Sequence, residues 1–148
     1  MIYIGIDTGV HTGVCVWDGK HIVRLETLKV HEALQLVQDI AHANEVGGVK
    51  VIFEDARQRK WIPREMSNSQ YRGRLMGAGS VKRDAVIWED ALTDWGVEFE
   101  AVAPHAGATK WSAEAFAKVT GWEGRTSDHA RDAALLVFGR KQIDVKRK

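Results

Sequence analysis

The hydrophobic and polar positions at the start of the chain predict three antiparallel strands. One apolar run covers residues 2–6, and a second run covers residues 12–17 after a turn. Asp18-Gly19 favours a tight hairpin turn, because primed turns need residues that tolerate positive φ. The positions from 22 to 28 predict a third strand. The chain is therefore expected to open with a β-meander.

Beyond residue 30 the apolar positions recur at the helical spacing. Gly47-Gly48 and Gly96 are expected to end two helices, and Ser127 is a typical N-cap. The elements predicted after the meander are a helix from 30, a strand at 49–53, a helix at about 78–95, a strand at 97–102, and helices at 112–119 and from 127. This order predicts one α/β domain over residues 1–148, with a mixed five-stranded sheet flanked by helices.

Composition excludes several classes of protein. Cys15 is the single cysteine, so an internal disulfide is impossible, and no Cys/His set has the spacing of a structural zinc site. We find no signal-peptide pattern and no apolar run of about 20 residues, so we expect a cytoplasmic protein without a membrane partner. Five histidines show no convergent spacing and are expected to be surface or hydrogen-bonded residues: His11, His21, His31, His42 and His105.

Acidic residues follow two predicted strands and begin the last helix. Asp7 ends the first strand, Glu54 ends the fourth, and Asp132 lies near the start of the last helix with Asp128 and His129. Strand ends gather at one edge of an open α/β sheet, where sites form. Carboxylates with one imidazole suit Mg²⁺ or Mn²⁺, and two such ions about 4 Å apart can promote phosphodiester cleavage. The pattern therefore predicts a metal-dependent hydrolytic site.

Charge is distributed unevenly, although the chain has a net charge of only +1. Residues 56–83 carry +7 and residues 140–148 carry +4, which leaves −10 for the rest. A basic segment with interleaved aromatic residues is typical of a surface that grips phosphates and stacks on bases, and Trp61 is the candidate for stacking. The candidate nucleic-acid contacts are Arg57, Arg59, Lys60, Trp61, Arg64, Arg72, Arg74, Lys82 and Arg83.

Several segments together resemble a known family. Ile4-Gly5-Ile6-Asp7-Thr8-Gly9 is similar to the first-strand motif of RuvC-type Holliday junction resolvases, and Ile52-Phe53-Glu54 is similar to their fourth-strand glutamate. His129-Ala130-Arg131-Asp132-Ala133-Ala134 resembles their terminal pattern of Asp or His, two further residues, and then Asp-Ala. The proline after strand five and the later lysine of the family correspond to Ala103-Pro104 and Lys110. The ordered set extends over essentially the whole chain and is most similar to the compact phage or prophage members.

The resemblance implies a ribonuclease-H-like fold and a homodimer that cleaves four-way DNA junctions with two Mg²⁺ or Mn²⁺ ions per site. Its implied metal ligands and catalytic residues are Asp7, Glu54, His129 and Asp132. Asp128 has no counterpart in the pattern and is a candidate to replace or assist His129 as a ligand. Lys110 is expected to contact the scissile phosphate or position the water. Residues 55–63 depart from the family, which leaves the preference for junctions open.

Four candidate residues also have a purely structural interpretation. Asp7 can begin an Asx-turn, and Glu54 can be a solvated strand end. His129 can be an ordinary first-turn residue, while Asp128 suits a helix N-terminus. In the long helix, Ile87 and Ala91 lie on a second face that could pack on a partner subunit.

Other functions remain open at this point. A related nuclease could act on a flap or an RNA:DNA hybrid, and a non-catalytic module could bind nucleic acid with the same fold. Asp7-Thr8-Gly9 also matches the aspartic-protease triplet, although that fold is nearly all-β and this chain has several predicted helices. A sugar-kinase or actin-like ATPase half shares a similar opening, but 148 residues leave no room for the second half.

Overall fold

The structure is a computed structural model that describes residues 1–58, 68–104 and 110–141, without the side chains of 68–78 and 81. Its elements are β1 (Ile2–Asp7), β2 (His11–Trp17), β3 (Ile22–Lys29), α1 (Val30–Ala43), β4 (Val49–Glu54), a 3₁₀ helix (Ala56–Gln58), α2 (Asn68–Asp94), β5 (Glu98–Val102), α3 (Ala113–Thr120) and α4 (Asp128–Val137). The predicted order of strands and α-helices is confirmed.

Helix α2 begins about ten residues before the predicted start at 78. Residues 68–74 precede the predicted helix, whereas the structure makes them helical. Among the described side chains of α2, the buried apolar ones are Ala85, Trp88 and Leu92.

The five strands form one mixed sheet in the order β3-β2-β1-β4-β5. Strands β1, β2 and β3 pair antiparallel, while β1 with β4 and β4 with β5 pair parallel. The carboxyl ends of β1, β4 and β5 therefore meet at the same edge of the sheet. This architecture confirms the predicted α/β class and the antiparallel opening.

Helices cover both faces of the sheet. Side chains alternate between the faces along each strand, so the buried strands contribute to two cores. One core joins the sheet to α1 and α2 through Ile4, Ile6, Val14, Val51, Phe53, Val37, Trp88 and Leu92. The other joins it to α3 and α4 through Tyr3, Cys15, Trp17, Ile52, Phe116, Ala133, Ala134 and Val137. No helix among the described residues is long and apolar enough to cross a membrane.

Two glycines allow α4 to lie unusually close to the sheet. A Cβ atom at Gly13 would lie 1.9 Å from the carbonyl oxygen of His129, and one at Gly5 would lie 2.1 Å from that of Ala133. Both glycines have φ outside the positive range, so the requirement is for space and not for backbone conformation. The helix backbone therefore contacts the β1–β2 hairpin directly, which positions the first turn of α4 at the end of β1.

Candidate active site

The candidate site lies where β1 and β4 end. Ile6 pairs with Phe53 across these parallel strands, so the next residues, Asp7 and Glu54, follow at neighbouring positions. Ile52 belongs to the core beneath α4, and Glu54 follows two positions later, so backbone alternation places Glu54 on that face. The register therefore brings Asp7 and Glu54 to one edge of the sheet, as the sequence predicted.

His129 in the first turn of α4 contacts Asp7. Its Nδ1 lies 2.9 Å from Oδ2 of Asp7, although 122 positions separate the two residues. Burial raises the pKa of Asp7 above its ordinary value; the hydrogen bond with His129 opposes this rise, and the nearby charge of Asp132 adds to it. Because the pKa of Asp7 is raised overall, the neighbouring positive charges do not fully offset the burial of its carboxylate. An added cation at this position would stabilise the carboxylate.

Asp132 lies one turn after His129 and has a cationic neighbour. Nζ of Lys110 lies 4.0 Å from Oδ2 of Asp132, and the Lys110 side chain is 73% exposed. Lys110 also acts on Asp7, because its charge lowers the pKa of that carboxyl. The structure therefore brings together four predicted site residues in one cluster, Asp7, His129, Asp132 and Lys110, at the edge that Glu54 shares.

The observed hydrogen bond of Asp128 is with Arg131 and not with a member of this cluster. Its Oδ1 accepts a hydrogen bond from the guanidinium of Arg131, and its side chain is 66% exposed. Ser127 caps the helix beside it by accepting from the backbone N–H of Ala130 at 3.1 Å. Of the two candidates that the sequence left open, His129 is the one that contacts Asp7.

His11, which was expected to be a surface or hydrogen-bonded residue, is a neighbour of the site. Its ring centroid lies 6.4 Å from that of His129, and the two rings are tilted by 34°. The alternation of residues along a strand could have indicated this position, because His11 lies two positions before Gly13 on β2 and Gly13 pairs with Asp7. The exposed imidazole therefore adds a second nitrogen donor beside the cluster.

The donor set of the cluster suits Mg²⁺ or Mn²⁺ by its chemistry, since these ions accept carboxylate oxygens and, for Mn²⁺, imidazole. No three His, Cys, Asp or Glu side chains in the described part of the chain are grouped to hold a metal ion. A site with three protein ligands would therefore require some of these side chains to change position.

Arg57, a predicted nucleic-acid contact, is held by carboxylates in the structure. Its Nε and Nη2 each donate to the buried carboxylate of Asp55 at 2.8 Å, and Nη2 also contacts Glu89 on α2. This pairing lowers the pKa of Asp55. It also ties the 3₁₀ helix to α2, so Arg57 has a structural role in fixing the chain after β4.

The other predicted contacts divide by position. Lys82 and Arg83 are exposed on α2. Arg72 and Arg74 belong to the first half of the same helix. Four further predicted contacts lie outside the described residues: Arg59, Lys60, Trp61 and Arg64.

A comparison with protein-family models found no match to the chain, and a comparison with curated proteins found none. The function is therefore inferred from the chain's own residues. These are a partly buried acid in contact with an imidazole, a second acid beside an exposed lysine, and a glutamate at the neighbouring strand end.

Proposed function

We propose that the chain is a metal-dependent endonuclease with a ribonuclease-H-like fold that cleaves branched DNA, with the four-way junction as its preferred substrate. The observation that carries the proposal is the contact of His129 with Asp7 at the edge of the sheet where Glu54 also lies. The chain motifs that resemble RuvC-type resolvases contain these three residues, and the contact joins two motifs that are far apart in sequence.

The residues would divide the work of phosphodiester hydrolysis. Asp7, Glu54, His129 and Asp132 would hold two Mg²⁺ or Mn²⁺ ions, which when bound would activate water and stabilise the leaving oxygen. Lys110 extends into solvent beside Asp132, where its ammonium can contact a non-bridging phosphate oxygen. The raised pKa of Asp7 means that this carboxyl retains its proton more strongly than an ordinary aspartate until a cation compensates its charge.

The basic surface supports a nucleic-acid substrate. Lys82 and Arg83 are exposed on α2, and α2 is joined to the end of β4 by the contact of Arg57 with Glu89. Exposed Lys and Arg side chains attract the phosphate backbone without reading its sequence. A partner copy is part of the proposal, since Val86 and Ile87 on α2 are large apolar residues that are 38% and 37% exposed. The proposed setting is the cytoplasm.

The test is a cleavage panel of four-way junction, flap, duplex and RNA:DNA hybrid, each with Mg²⁺, Mn²⁺ or EDTA. We expect metal-dependent cleavage of the junction and no cleavage in EDTA. Asp7→Asn should abolish cleavage and leave binding intact, since it removes a charge from the site and keeps the side-chain shape. Asp39→Asn is the matched control, because Asp39 hydrogen-bonds Gln35 on α1, on the opposite face of the sheet.

The panel also separates the rival functions. Preferential cleavage of the hybrid or the flap would replace the junction as substrate while keeping the nuclease site. Binding of branched DNA without cleavage of any substrate would favour a non-catalytic module. Full activity of Asp7→Asn would refute the proposed site.

A further inference from the structure

Arg131 is a buried cation that directly precedes Asp132 in α4. Its side chain is 10% exposed, and it makes four hydrogen bonds. Nε donates to the carbonyl of Trp111 at 3.0 Å, and Nη1 donates to the carbonyl and hydroxyl oxygens of Thr126 at 2.8 and 2.7 Å. Nη2 donates to Asp128. A buried guanidinium with this many acceptors is a connector between segments, because its five N–H groups have fixed directions.

The hydrogen bond to Trp111 connects α4 to the segment that leads into α3. Trp111 is also held by its ring, which packs edge-on against Phe116 with 6.4 Å between the ring centroids. Ser112 follows and caps α3 by accepting from the N–H of Ala115 at 3.1 Å. The backbone at residue 111 is therefore fixed from both sides, by the guanidinium of Arg131 and by α3.

Lys110 comes immediately before this fixed point. Its long side chain is mostly exposed, yet its ammonium lies 4.0 Å from Asp132. An exposed lysine gains little from a single surface ion pair and loses side-chain entropy in forming it. A backbone anchor at the next residue reduces this loss by restricting where the lysine side chain can begin.

We propose that Arg131 is a positioning residue that places Lys110 beside Asp132 through the carbonyl of Trp111, with Asp128 as the counter-charge that holds the guanidinium. This proposal rests on the proposed nuclease function only for the role of Lys110 in cleavage. The positioning of residues 110 and 111 is independent of that function and can be measured without a substrate.

The structural part is tested by amide hydrogen exchange of the segment 110–116 in the full chain. We expect Arg131→Met to speed exchange there by about tenfold or more, because the segment loses its anchor on α4. Arg131→Lys should give an intermediate rate, since an ammonium can reach one acceptor but cannot span the set. Arg140→Met is the matched control: Arg140 also donates to a helix carbonyl, that of Leu136 at 3.0 Å, but at the other end of α4.

The catalytic part is tested by single-turnover cleavage of the junction with Lys110→Ala, Arg131→Met and the double variant. If Arg131 acts through Lys110, each single variant lowers the rate by about tenfold, and adding Arg131→Met to Lys110→Ala lowers it by less than about twofold more. A general loss of stability would instead multiply the two effects. Arg131→Lys should cleave faster than Arg131→Met when Lys110 is present, and the two substitutions should give the same rate in the Lys110→Ala variant.

The outcomes are distinct. Wild-type exchange of the segment 110–116 in a folded Arg131→Met protein overturns the proposal, whatever the cleavage result. If circular dichroism shows that Arg131→Met is unfolded, Arg131→Lys decides by the same criterion. Multiplicative rate effects overturn the link to Lys110. Absence of cleavage by the wild-type protein refutes the proposed function, and the exchange experiment then decides the positioning alone.

Discussion

Replacing Gly13 by Ala should displace the first turn of α4 and separate His129 from Asp7. The added Cβ would lie 1.9 Å from the carbonyl oxygen of His129 and 3.0 Å from the amide nitrogen of Ala130. Real Cβ atoms do not approach other atoms closer than 3.0 Å, so the helix start must recede by about 1 Å. Both nearby atoms belong to the backbone, so no change of rotamer can relieve the clash.

The size of the effect follows from this displacement. A recession of about 1 Å moves the Asp7–His129 contact from 2.9 Å to nearly 4 Å, which is beyond hydrogen-bond range. Overpacking of this kind costs about 1–3 kcal/mol of unfolding free energy. Gly5 contacts the helix one turn later, so the helix should tilt about that point instead of leaving the sheet.

Urea denaturation measures the cost, and two-dimensional NMR of the backbone amides locates the change. We expect the largest shifts in the first turn of α4 and in β2. Gly9→Ala is the matched control in the same hairpin, because its Cβ would meet nothing closer than the His11 carbonyl at 3.4 Å. Its unfolding free energy should stay within about 1 kcal/mol of that of the wild type.

A second comparison tests whether one helix is responsible. Gly5→Ala and Gly13→Ala push the same helix away from the same sheet, so the double variant should cost less than the sum of the two single costs. Wild-type stability and wild-type amide shifts in Gly13→Ala would refute the close-packing explanation.

Two further predictions concern the carboxyls of Asp7 and Asp55. Asp7→Asn should stabilise the protein in EDTA at neutral pH. Folding raises the pKa of Asp7 above 3.8, its value in the unfolded chain, so the wild type loses stability as pH rises from 3.8 through the pKa of the folded protein. Urea midpoints of the two proteins should therefore diverge with rising pH, and a more stable wild type at pH 7 would contradict this. Asp55→Asn should cost about 1–3 kcal/mol, because it weakens the charge-assisted pair with Arg57. The lowered pKa of Asp55 provides stability above pH 3.8, and this stability is lost as pH falls through the pKa of the folded protein. The loss of unfolding free energy in Asp55→Asn should therefore vanish in acid, and a loss that does not change with pH would contradict this.

Much of the site was predictable from local patterns. Asp7 and Glu54 each follow a short apolar strand, and parallel strands bring their ends to one edge. The N-cap at Ser127 places His129 and Asp132 one turn apart on α4. These relations depend only on strand and helix periodicity, which a sequence displays directly.

The contacts of the charged side chains were not predictable in this way. Arg57 belongs by composition to a basic segment, but its hydrogen bonds are with Asp55 and, 32 positions away, Glu89. Arg131 precedes the predicted acid Asp132, but its Nε donates to the carbonyl of Trp111, 20 positions away. Long charged side chains reach partners in several directions, and the choice among them depends on which backbones are near.

Hydrophobic periodicity and turn residues act over a few positions, and they set the order of elements, the antiparallel opening and the acids at the strand ends. The way α4 lies on the sheet depends instead on packing between distant segments. Two glycines on neighbouring strands remove the side chains that would hold it away, and the helix then brings His129 to Asp7 and Arg131 to the segment before α3. Those distances arise from packing between segments over 100 positions apart in one case and about 20 in the other.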